Sequence, residues 1–106
     1  MFAIELGQMR LETLQSVSGL ADGHTQSGQI TITRGMDKSN ELTEWIKESR
    51  VNHNNGGARN VSICRLDAAN TVAQRFNLRN AWASSWSASD EAIETVQIDF
   101  DEMVIE

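Results

Sequence analysis

Short stretches of alternating apolar and polar residues run through most of the chain and predict β-strands. Phe2, Ile4 and Leu6 alternate with Ala3 and Glu5 near the N-terminus. Successive side chains of a strand point to opposite faces, so this pattern indicates a strand with one buried face. The same reasoning predicts strands over 2–6, 11–17, 29–34, 61–66, 72–78 and 94–100.

One helix is predicted after the third strand. Leu42, Trp45 and Ile46 follow the i, i+3, i+4 spacing of a helix face, and charged residues occupy most of the positions between and beside them. Asp37 or Ser39 can cap the N-terminus of this helix, since both side chains accept hydrogen bonds from the first turn.

Turns and loops separate these elements. Loops are predicted over 19–28 and 52–58, so the helix is expected to end by about Val51. Shorter turns are predicted at 7–8 and 67–70. No internal repeat or linker interrupts this succession, and antiparallel hairpins dominate it.

The C-terminal half carries further predictions. Val72, Phe76 and Leu78 are expected to share one face of their strand. Trp82 and Trp86 follow in an extended segment; at i and i+4 they are predicted to share one face. There they would either cover the end of a barrel or anchor a neighbouring subunit, a role in which tryptophan is favoured.

Six or seven strands and one helix define the expected fold. A strongly twisted sheet of that size tends to close on itself, so we predict a mainly β protein: a small antiparallel β-barrel or split sandwich. An apolar tail is expected over 103–105. The predicted core consists of Phe2, Ile4, Leu6, Ile30, Ile32, Leu42, Trp45, Ile46, Val61, Ile63, Phe76, Leu78, Val96, Ile98 and Phe100.

Size and composition bound what such a chain can do. At 106 residues it is expected to form one domain over 1–106, with a modest core. Apolar runs are too short to cross a membrane, and the N-terminus lacks the pattern of a signal peptide. Cys64 is the one cysteine, which excludes an internal disulfide and fits a reducing cytoplasm. The net charge of −6 argues against nucleic acid held by counterion release.

Charge is unevenly distributed along the chain. Seven carboxylates and no base lie between Asp90 and Glu106, whereas eight of the nine basic residues lie between Arg34 and Arg79. These segments form either two solvated faces or an acidic edge that meets a basic edge of the next copy. The candidate contacts between subunits are Arg34, Arg75, Arg79, Trp82, Trp86, Glu94, Asp99, Asp101 and Glu102.

Residues that could carry chemistry form no recognisable site. His24 and His53 sit in separate predicted loops without ligand spacing to Cys64, and no zinc, calcium or phosphate-loop motif is present. Asp99 and Asp101 point to the same face of a predicted strand, but the acidic run around them favours a solvated or interfacial stripe over an acid/base pair. The sequence therefore predicts neither an enzyme nor a cofactor.

Several segments together resemble the tail tube protein family of contractile phages and phage-derived contractile injection systems. Leu42-Thr43-Glu44-Trp45 matches the family's helix with its Leu-x-x-Trp spacing, and the stretch from Phe76 to Trp82 is similar to its W-x-L-x-N-A-W/F motif. The matching segments follow one another in family order over 2–7, 17–20, 30–35, 42–45, 59–63, 76–82 and 92–98.

The resemblance implies a barrel of the phage tail tube type that forms hexameric rings. Rings of this family stack into a tube around a channel, inside a contractile sheath and on a baseplate. DNA or effector proteins would pass through the channel only as cargo. The subunit would assemble in the bacterial cytoplasm and become part of a virion tail or an extracellular injection particle, without inserting into a membrane itself.

Two departures from the family pattern leave alternatives open. Segment 21–29 is much shorter than its family counterpart, which helps rings to stack, and Ala83 replaces a family proline. The chain could therefore be a minimal tube subunit, or a tube initiator or terminator that joins the tube to the baseplate. A free-standing β-barrel binding module or small enzyme is the alternative from another class.

Overall fold

Seven strands and one helix make up the chain in a computed structural model, which describes residues 1–7, 9–20, 26–35, 37–52, 59–88 and 94–106. All the strand pairs are antiparallel. The elements are β1 (Phe2–Leu6), β2 (Met9–Ser18), β3 (Gly28–Arg34), α1 (Asn40–Asn52), β4 (Arg59–Leu66), β5 (Val72–Ala88), β6 (Glu94–Phe100) and β7 (Glu102–Ile105).

Six of the strands close into a barrel. They follow the order β4-β1-β2-β3-β6-β5, and β5 pairs with β4 to complete the circle. β7 is an extra strand on the outer edge of β5, beyond the end of β6. The prediction of a mainly β fold with one helix, closed as a small antiparallel barrel, is confirmed.

The core fills the barrel and continues beneath α1. Ile30 and Ile32 on β3 point inward between Thr31 and Thr33, as the alternation of the sequence predicts. Leu42, Trp45 and Ile46 bury the inner face of α1 in the same apolar cluster. The other predicted core residues that are buried in this cluster are Ile4, Val61, Ile63, Phe76, Leu78, Val96, Ile98 and Phe100.

Three apolar residues lie elsewhere than the alternation predicts. Phe2 and Leu6 pack against the main cluster but are only partly buried, because they occupy the two ends of β1. Val72 packs instead beside the small second cluster of Ala3, Cys64 and Leu66. A register shift between Arg65 and Leu66 displaces this end of β5 relative to β4, and such a shift changes which side chains meet across the pair.

Of the two predicted capping residues, Ser39 caps α1 and Asp37 does not. The hydroxyl of Ser39 accepts a hydrogen bond from the N–H of Leu42 at 3.2 Å, which satisfies a donor of the first turn. Asp37 binds Thr13 on β2, through the backbone N–H at 2.9 Å and the hydroxyl at 2.7 Å. These two contacts fix the helix entry to β2.

One 17-residue strand, β5, replaces the two separate segments that the sequence suggests. Its N-terminal part pairs with β4 and β7, and its C-terminal part pairs with β6. Asn80 lies between these parts with φ at 53°, a left-handed conformation that asparagine tolerates better than most residues. Its side chain donates to Asp101 at 2.6 Å, which ties this corner to the break between β6 and β7.

The C-terminal residues differ most from their prediction. The apolar tail over 103–105 is part of β7, in which Met103 is fully buried opposite Leu78. The prediction that Trp82 and Trp86 share a face is wrong. A bulge between Ala83 and Ser85 adds one residue, so Trp82 pairs with Asp99 on the outside and Trp86 packs against the core.

Candidate assembly surfaces

A buried ionic cluster at one end of the barrel fixes α1 to the strands. Arg34, the last residue of β3, points inward like Ile32 and forms two hydrogen bonds with the carboxylate of Glu12, at 2.7 and 3.0 Å. Glu12 also accepts a hydrogen bond from the backbone N–H of Ser39 at 2.8 Å. The other amino group of Arg34 contacts Thr43 on the helix at 3.0 Å.

Arg34 is therefore not a surface residue, although the sequence places it among the candidate subunit contacts. Its side chain is 1% exposed, and its position on the inward face of β3 is the reason. Burial by itself lowers the pKa of Arg34, but hydrogen bonds and charges from Glu12 and Glu94 outweigh it and raise that pKa above its ordinary value. The guanidinium stays charged at every relevant pH.

Glu94 and Trp86 extend this cluster towards the surface. The carboxylate of Glu94 lies 3.3 Å from Arg34 and accepts a hydrogen bond from the indole N–H of Trp86 at 2.6 Å. The guanidinium of Arg50 lies 6.0 Å from the centre of the Trp86 ring, within cation–π range. Both candidate contacts are therefore partly engaged inside the subunit, and what they still expose lies beside α1.

Acidic and basic residues meet within the subunit on the outer face of β1, β5 and β7. Arg75 forms two hydrogen bonds with Glu5, at 3.1 and 3.2 Å, and lies 3.6 Å from Glu106. Arg79 lies 3.3 Å from Glu102, and its side chain is 62% exposed. Part of the predicted complementarity between the basic middle and the acidic end is thus satisfied inside one copy, and Arg79 retains the most exposed charge of these bases.

Cys64 lies fully buried beneath this charged face. Burial raises the pKa of its thiol, and the nearby Glu5 carboxylate raises it further. The hydrogen bonds of Arg75, first to Glu5 and then to Cys64, raise the pKa of that guanidinium. A buried thiol of raised pKa is a poor nucleophile, so Cys64 acts here as a small core residue.

Asp99 and Asp101 do not form a carboxylate pair. Asp99 accepts hydrogen bonds from Gln29 at 2.7 Å and from Ser84 at 2.8 Å. Asp101 lies in the break between β6 and β7, where it accepts the hydrogen bond from Asn80. The two carboxylates have separate partners, so their arrangement indicates positioning of the strands and not acid/base chemistry.

The outer edge of β7 is unpaired among the described residues. The N–H of Glu106 donates to the carbonyl of Arg75 at 2.9 Å. In an antiparallel ladder the direction of these groups alternates, so the N–H and C=O groups of Met103 and Ile105 point away from β5. An open edge of this kind can pair with a strand of another chain.

A mixed apolar and charged groove runs between α1 and the start of the barrel. Two adjoining depressions of about 750 and 470 Å³ both contact Leu6, Glu41 and Arg59. Val51 and Met9 border them and are 78% and 65% exposed. Exposed apolar side chains beside charges are typical of surfaces that another protein covers.

Groups that could hold a metal are missing from the part of the chain that the structure describes: no three or more histidine, cysteine or acidic side chains come together there. His24 and His53 lie outside the described residues, as do Asp90 and Glu91. Within the described ranges, no helix has both the length and the apolar character needed to cross a membrane.

Among the described residues, four buried polar residues besides Arg34 were not expected from the sequence: Glu5, Glu12, Ser49 and Ser62. Glu12 precedes Leu14 by two positions, so period-2 alternation already places it on the inward face of β2. Ser49 follows Ile46 at the i+3 position of α1, and its hydroxyl accepts a hydrogen bond from the backbone N–H of Ala83 at 3.0 Å. For Glu12 and Ser49, the available signal was a polar residue at a position that the period of the strand or helix assigns to the buried face.

The fold and these surfaces define a class: a small β-barrel, capped by one helix, whose polar clusters organise structure and whose open surfaces suit contact with other chains. A family model of the T4-like virus tail tube protein gp19 matches residues 4–104. The chain belongs to that tail tube family, which is structural, so its role is that of a structural component related to a contractile tube. No curated protein sequence matches the chain.

Several solved structures share this fold. The tube-terminating cap of the anti-feeding prophage superimposes with a TM-score of 0.71 at 20% identity, over 99% of this chain and 87% of that one. The sheath/tube terminator of an extracellular contractile injection system in its extended state has a TM-score of 0.71 and 20% identity, over 99% of this chain and 92% of its own. Hcp1 from Flavobacterium johnsoniae has a TM-score of 0.66 and 16% identity, over 98% of this chain and 93% of its own.

Proposed function

We propose that the chain is a protomer of the inner tube of a contractile phage tail or contractile injection system. Copies of it form hexameric rings, and the rings stack around a channel. The observation that carries this proposal is the tail tube family match over 4–104, on a closed six-stranded barrel with one extra strand, β7. Residues 1–106 act as one tube domain in this proposal.

The open edge of β7 supports ring formation. In a ring, an edge strand of one subunit pairs with the next copy, and the same heterologous contact repeats until rotation closes it. Arg79 and Glu102 sit beside this edge, where their exposed charges can set the register of the contact. Trp82, Asp99 and Asp101 remain further candidates for the same interface.

The partners follow from the same assembly. The chain contacts itself within and between rings, and sheath and baseplate proteins cover or end the tube. Structures with this fold include the sheath-tube complex of an extracellular contractile injection system and the baseplate of the anti-feeding prophage. The subunit assembles in the bacterial cytoplasm and functions in a virion tail or an injection particle, through which DNA or effector proteins pass.

A tube terminator or initiator is the second candidate. A tube-terminating cap and a sheath/tube terminator share the fold with TM-scores of 0.71, and segment 21–29 is shorter than the family segment that helps rings to stack. The copy number separates the two roles. A terminator is present as about one ring per particle, whereas a tube subunit is present in many rings, and quantitative mass spectrometry of purified particles measures that ratio.

Proline substitution at the β7 edge tests ring formation directly. Ile105→Pro removes an N–H that points away from β5 and leaves the bonds to β5 in place, so the subunit is expected to fold but not to assemble. Ile105→Ala, which loses the side chain but keeps the N–H, is the matched control and is expected to assemble. Electron microscopy of both variants gives the result; rings from Ile105→Pro as abundant as from the control would contradict the edge contact.

A further inference from the structure

The outer faces of the barrel differ in chemistry from one side to the other. One side, formed by β1, β7 and the N-terminal part of β5, carries the ion pairs Arg75–Glu5 and Arg79–Glu102 described above. On the other side, four strands present an outer face made almost wholly of hydroxyl and amide side chains. We call the residues of its two cross-strand rows the hydroxyl face: Ser16, Thr33, Thr95 and Ser87 in the first row, and Ser18, Thr31, Gln97 and Ser85 in the second.

The register shows that this face is continuous. Thr31 on β3 lies opposite Ser18 on β2 and opposite Gln97 on β6, and Gln97 lies opposite Ser85 on β5. Each row crosses four neighbouring strands, a width of roughly 14 Å at the usual strand spacing of about 4.8 Å. None of the eight side chains is buried, so the face meets solvent in the free subunit.

Charge is almost absent from this surface. Two carboxylates border it, and both are engaged by neutral groups: Asp99 by Gln29 and Ser84 beyond the second row, and Asp37 by Thr13 beyond the first. Glu94 and Arg34, on the same strands, point inward into the buried cluster. The described part of the face therefore offers neither an ion pair nor a large apolar side chain to a partner.

Such a surface is a poor site for contact between subunits. Interfaces are enriched in aromatic residues, methionine and arginine and are depleted of serine. Within the two rows of the hydroxyl face no such residue occurs: Trp82 lies in the adjoining row opposite Asp99, Met9 lies at the groove beside α1 and Arg79 lies beside the β7 edge. The hydroxyl face instead keeps a layer of hydrogen-bonded water, which a passing macromolecule can slide over without forming ion pairs.

We propose that the hydroxyl face lines the channel of the assembled tube, so that the channel wall is uncharged at its centre. This inference rests on the proposed function, because a channel exists only in the ring. It differs from an acidic wall, which would repel an anionic cargo and retain a cationic one. A hydroxyl and amide wall discriminates a cargo by its width and holds neither sign of charge.

Cysteine accessibility in the assembled full chain tests the proposal. Thr31→Cys and Gln97→Cys are each treated with a small maleimide and with a maleimide on a large polyethylene glycol, as free subunits and as tubes. Both reagents are expected to label the free subunits at similar rates. In tubes the small reagent is expected to react and the large one to react many-fold more slowly. Cys64, fully buried, gives the unlabelled background in the parent chain.

Each alternative outcome contradicts either the channel assignment or the proposed function. Equal labelling by the large reagent in tubes and free subunits would place the face on the outside. Protection from both reagents, or failure of both folded variants to assemble, would place it in a subunit contact; either result overturns the channel assignment. If the parent chain forms no rings or tubes in electron micrographs, the proposed function itself fails, and this inference fails with it.

Discussion

Arg34 and Glu12 face each other inside the barrel at 2.7 Å, and their side chains are 1% and 0% exposed. Two ions removed from water are stable only when each has its hydrogen-bonding groups satisfied. Here Glu12 also binds the backbone of Ser39, so the pair connects two strands to the start of the helix. The pair thus holds Ser39, the residue before α1, against the strands through both its N–H and its carbonyl.

Removal of one partner of this pair is expected to be costly. Arg34→Met leaves the Glu12 carboxylate buried without its counter-ion, which lowers the free energy of unfolding by about 3–5 kcal/mol. Urea denaturation of the unassembled subunit measures this loss. The double variant Arg34→Met, Glu12→Leu is the control and is expected to recover much of it, since an apolar pair replaces the ions. A double variant less stable than the single one would show that the ion pair itself stabilises the barrel.

Asp37 gives the subunit a dependence of stability on pH. Burial is the largest single influence and raises the pKa of this carboxyl, but hydrogen bonds, chiefly from the hydroxyl and backbone of Thr13, together outweigh it and lower the pKa below its ordinary value of 3.8. Because the folded-state pKa is lowered, the unfolded chain binds the proton more readily than the folded chain does. The stability that Asp37 contributes is therefore complete above about pH 5 and is lost as the pH falls below about 4. Urea midpoints between pH 3 and pH 6 are expected to fall less for Asp37→Asn than for the parent chain.

The Asp37 experiment has its own control in Thr13. Thr13→Ser keeps both donors and is expected to retain the pH dependence of the parent chain, whereas Asp37→Asn removes the titrating group. Identical pH profiles for the parent chain and Asp37→Asn would assign the dependence to other carboxyls.

Gly19 and Gly7 form a matched pair for backbone strain. Both have positive φ, at 94° and 70°. A Cβ at Gly19 would lie 2.8 Å from the carbonyl oxygen of Gln29, whereas one at Gly7 would meet nothing within 4 Å. Gly7→Ala should therefore cost only the left-handed conformation, ~1–2 kcal/mol. Gly19→Ala should cost roughly 1–3 kcal/mol more, because β2 and β3 must separate.

Thermal unfolding of the two glycine variants measures this difference. Equal losses at the two positions would show that the contact between position 19 and Gln29 relaxes without cost. A larger loss at Gly7 would contradict the steric argument altogether.

Asn80 combines a backbone and a side-chain role at the corner of β5. Asn80→Gly keeps the left-handed conformation and loses the bond to Asp101, a loss of about 0.5–1.5 kcal/mol. Asn80→Ala loses the hydrogen bond and also disfavours the left-handed conformation, so its free energy of unfolding should be ~1–2 kcal/mol lower than that of the glycine variant. Chemical denaturation gives both values. Asp101→Asn, which can still accept the hydrogen bond from Asn80, should stay within a few tenths of a kcal/mol of the parent chain; an alanine variant as stable as the glycine one would refute the backbone role.

The sequence predicts the fold well where one face of an element is apolar. Ile30 and Ile32 define β3, and Leu42 with Trp45 defines α1, because burial imposes a period on the chain. Prediction from the sequence fails where a bulge interrupts the alternation of buried and exposed residues. The bulge at Ala83–Ser85 adds one residue to β5, so Trp82 and Trp86 point to opposite faces although they are four positions apart. No residue type in the sequence predicts such an insertion.

The polar clusters are less predictable than the fold, for a physical reason. A charged residue is normally read as exposed, so Arg34 is expected at the surface. Its burial depends on Glu12, which lies 22 residues away in sequence. The sequence allows the acidic and basic segments to be two solvated faces or to meet between copies, whereas Arg79 pairs with Glu102 and Arg75 with Glu106 within the subunit. Pairings of this kind follow from the closed topology and not from local spacing.

Closure of the barrel sets an order of events during synthesis. β5 is the partner of β4, β6 and β7, so the circle stays open until residues 72–100 have left the ribosome. β7, which carries the unpaired edge, follows β6 in the chain. A nascent subunit thus completes the unpaired edge of β7 only after the other strands of the barrel are available to pair. Chain order therefore delays the proposed pairing of this edge with another copy until the barrel can fold.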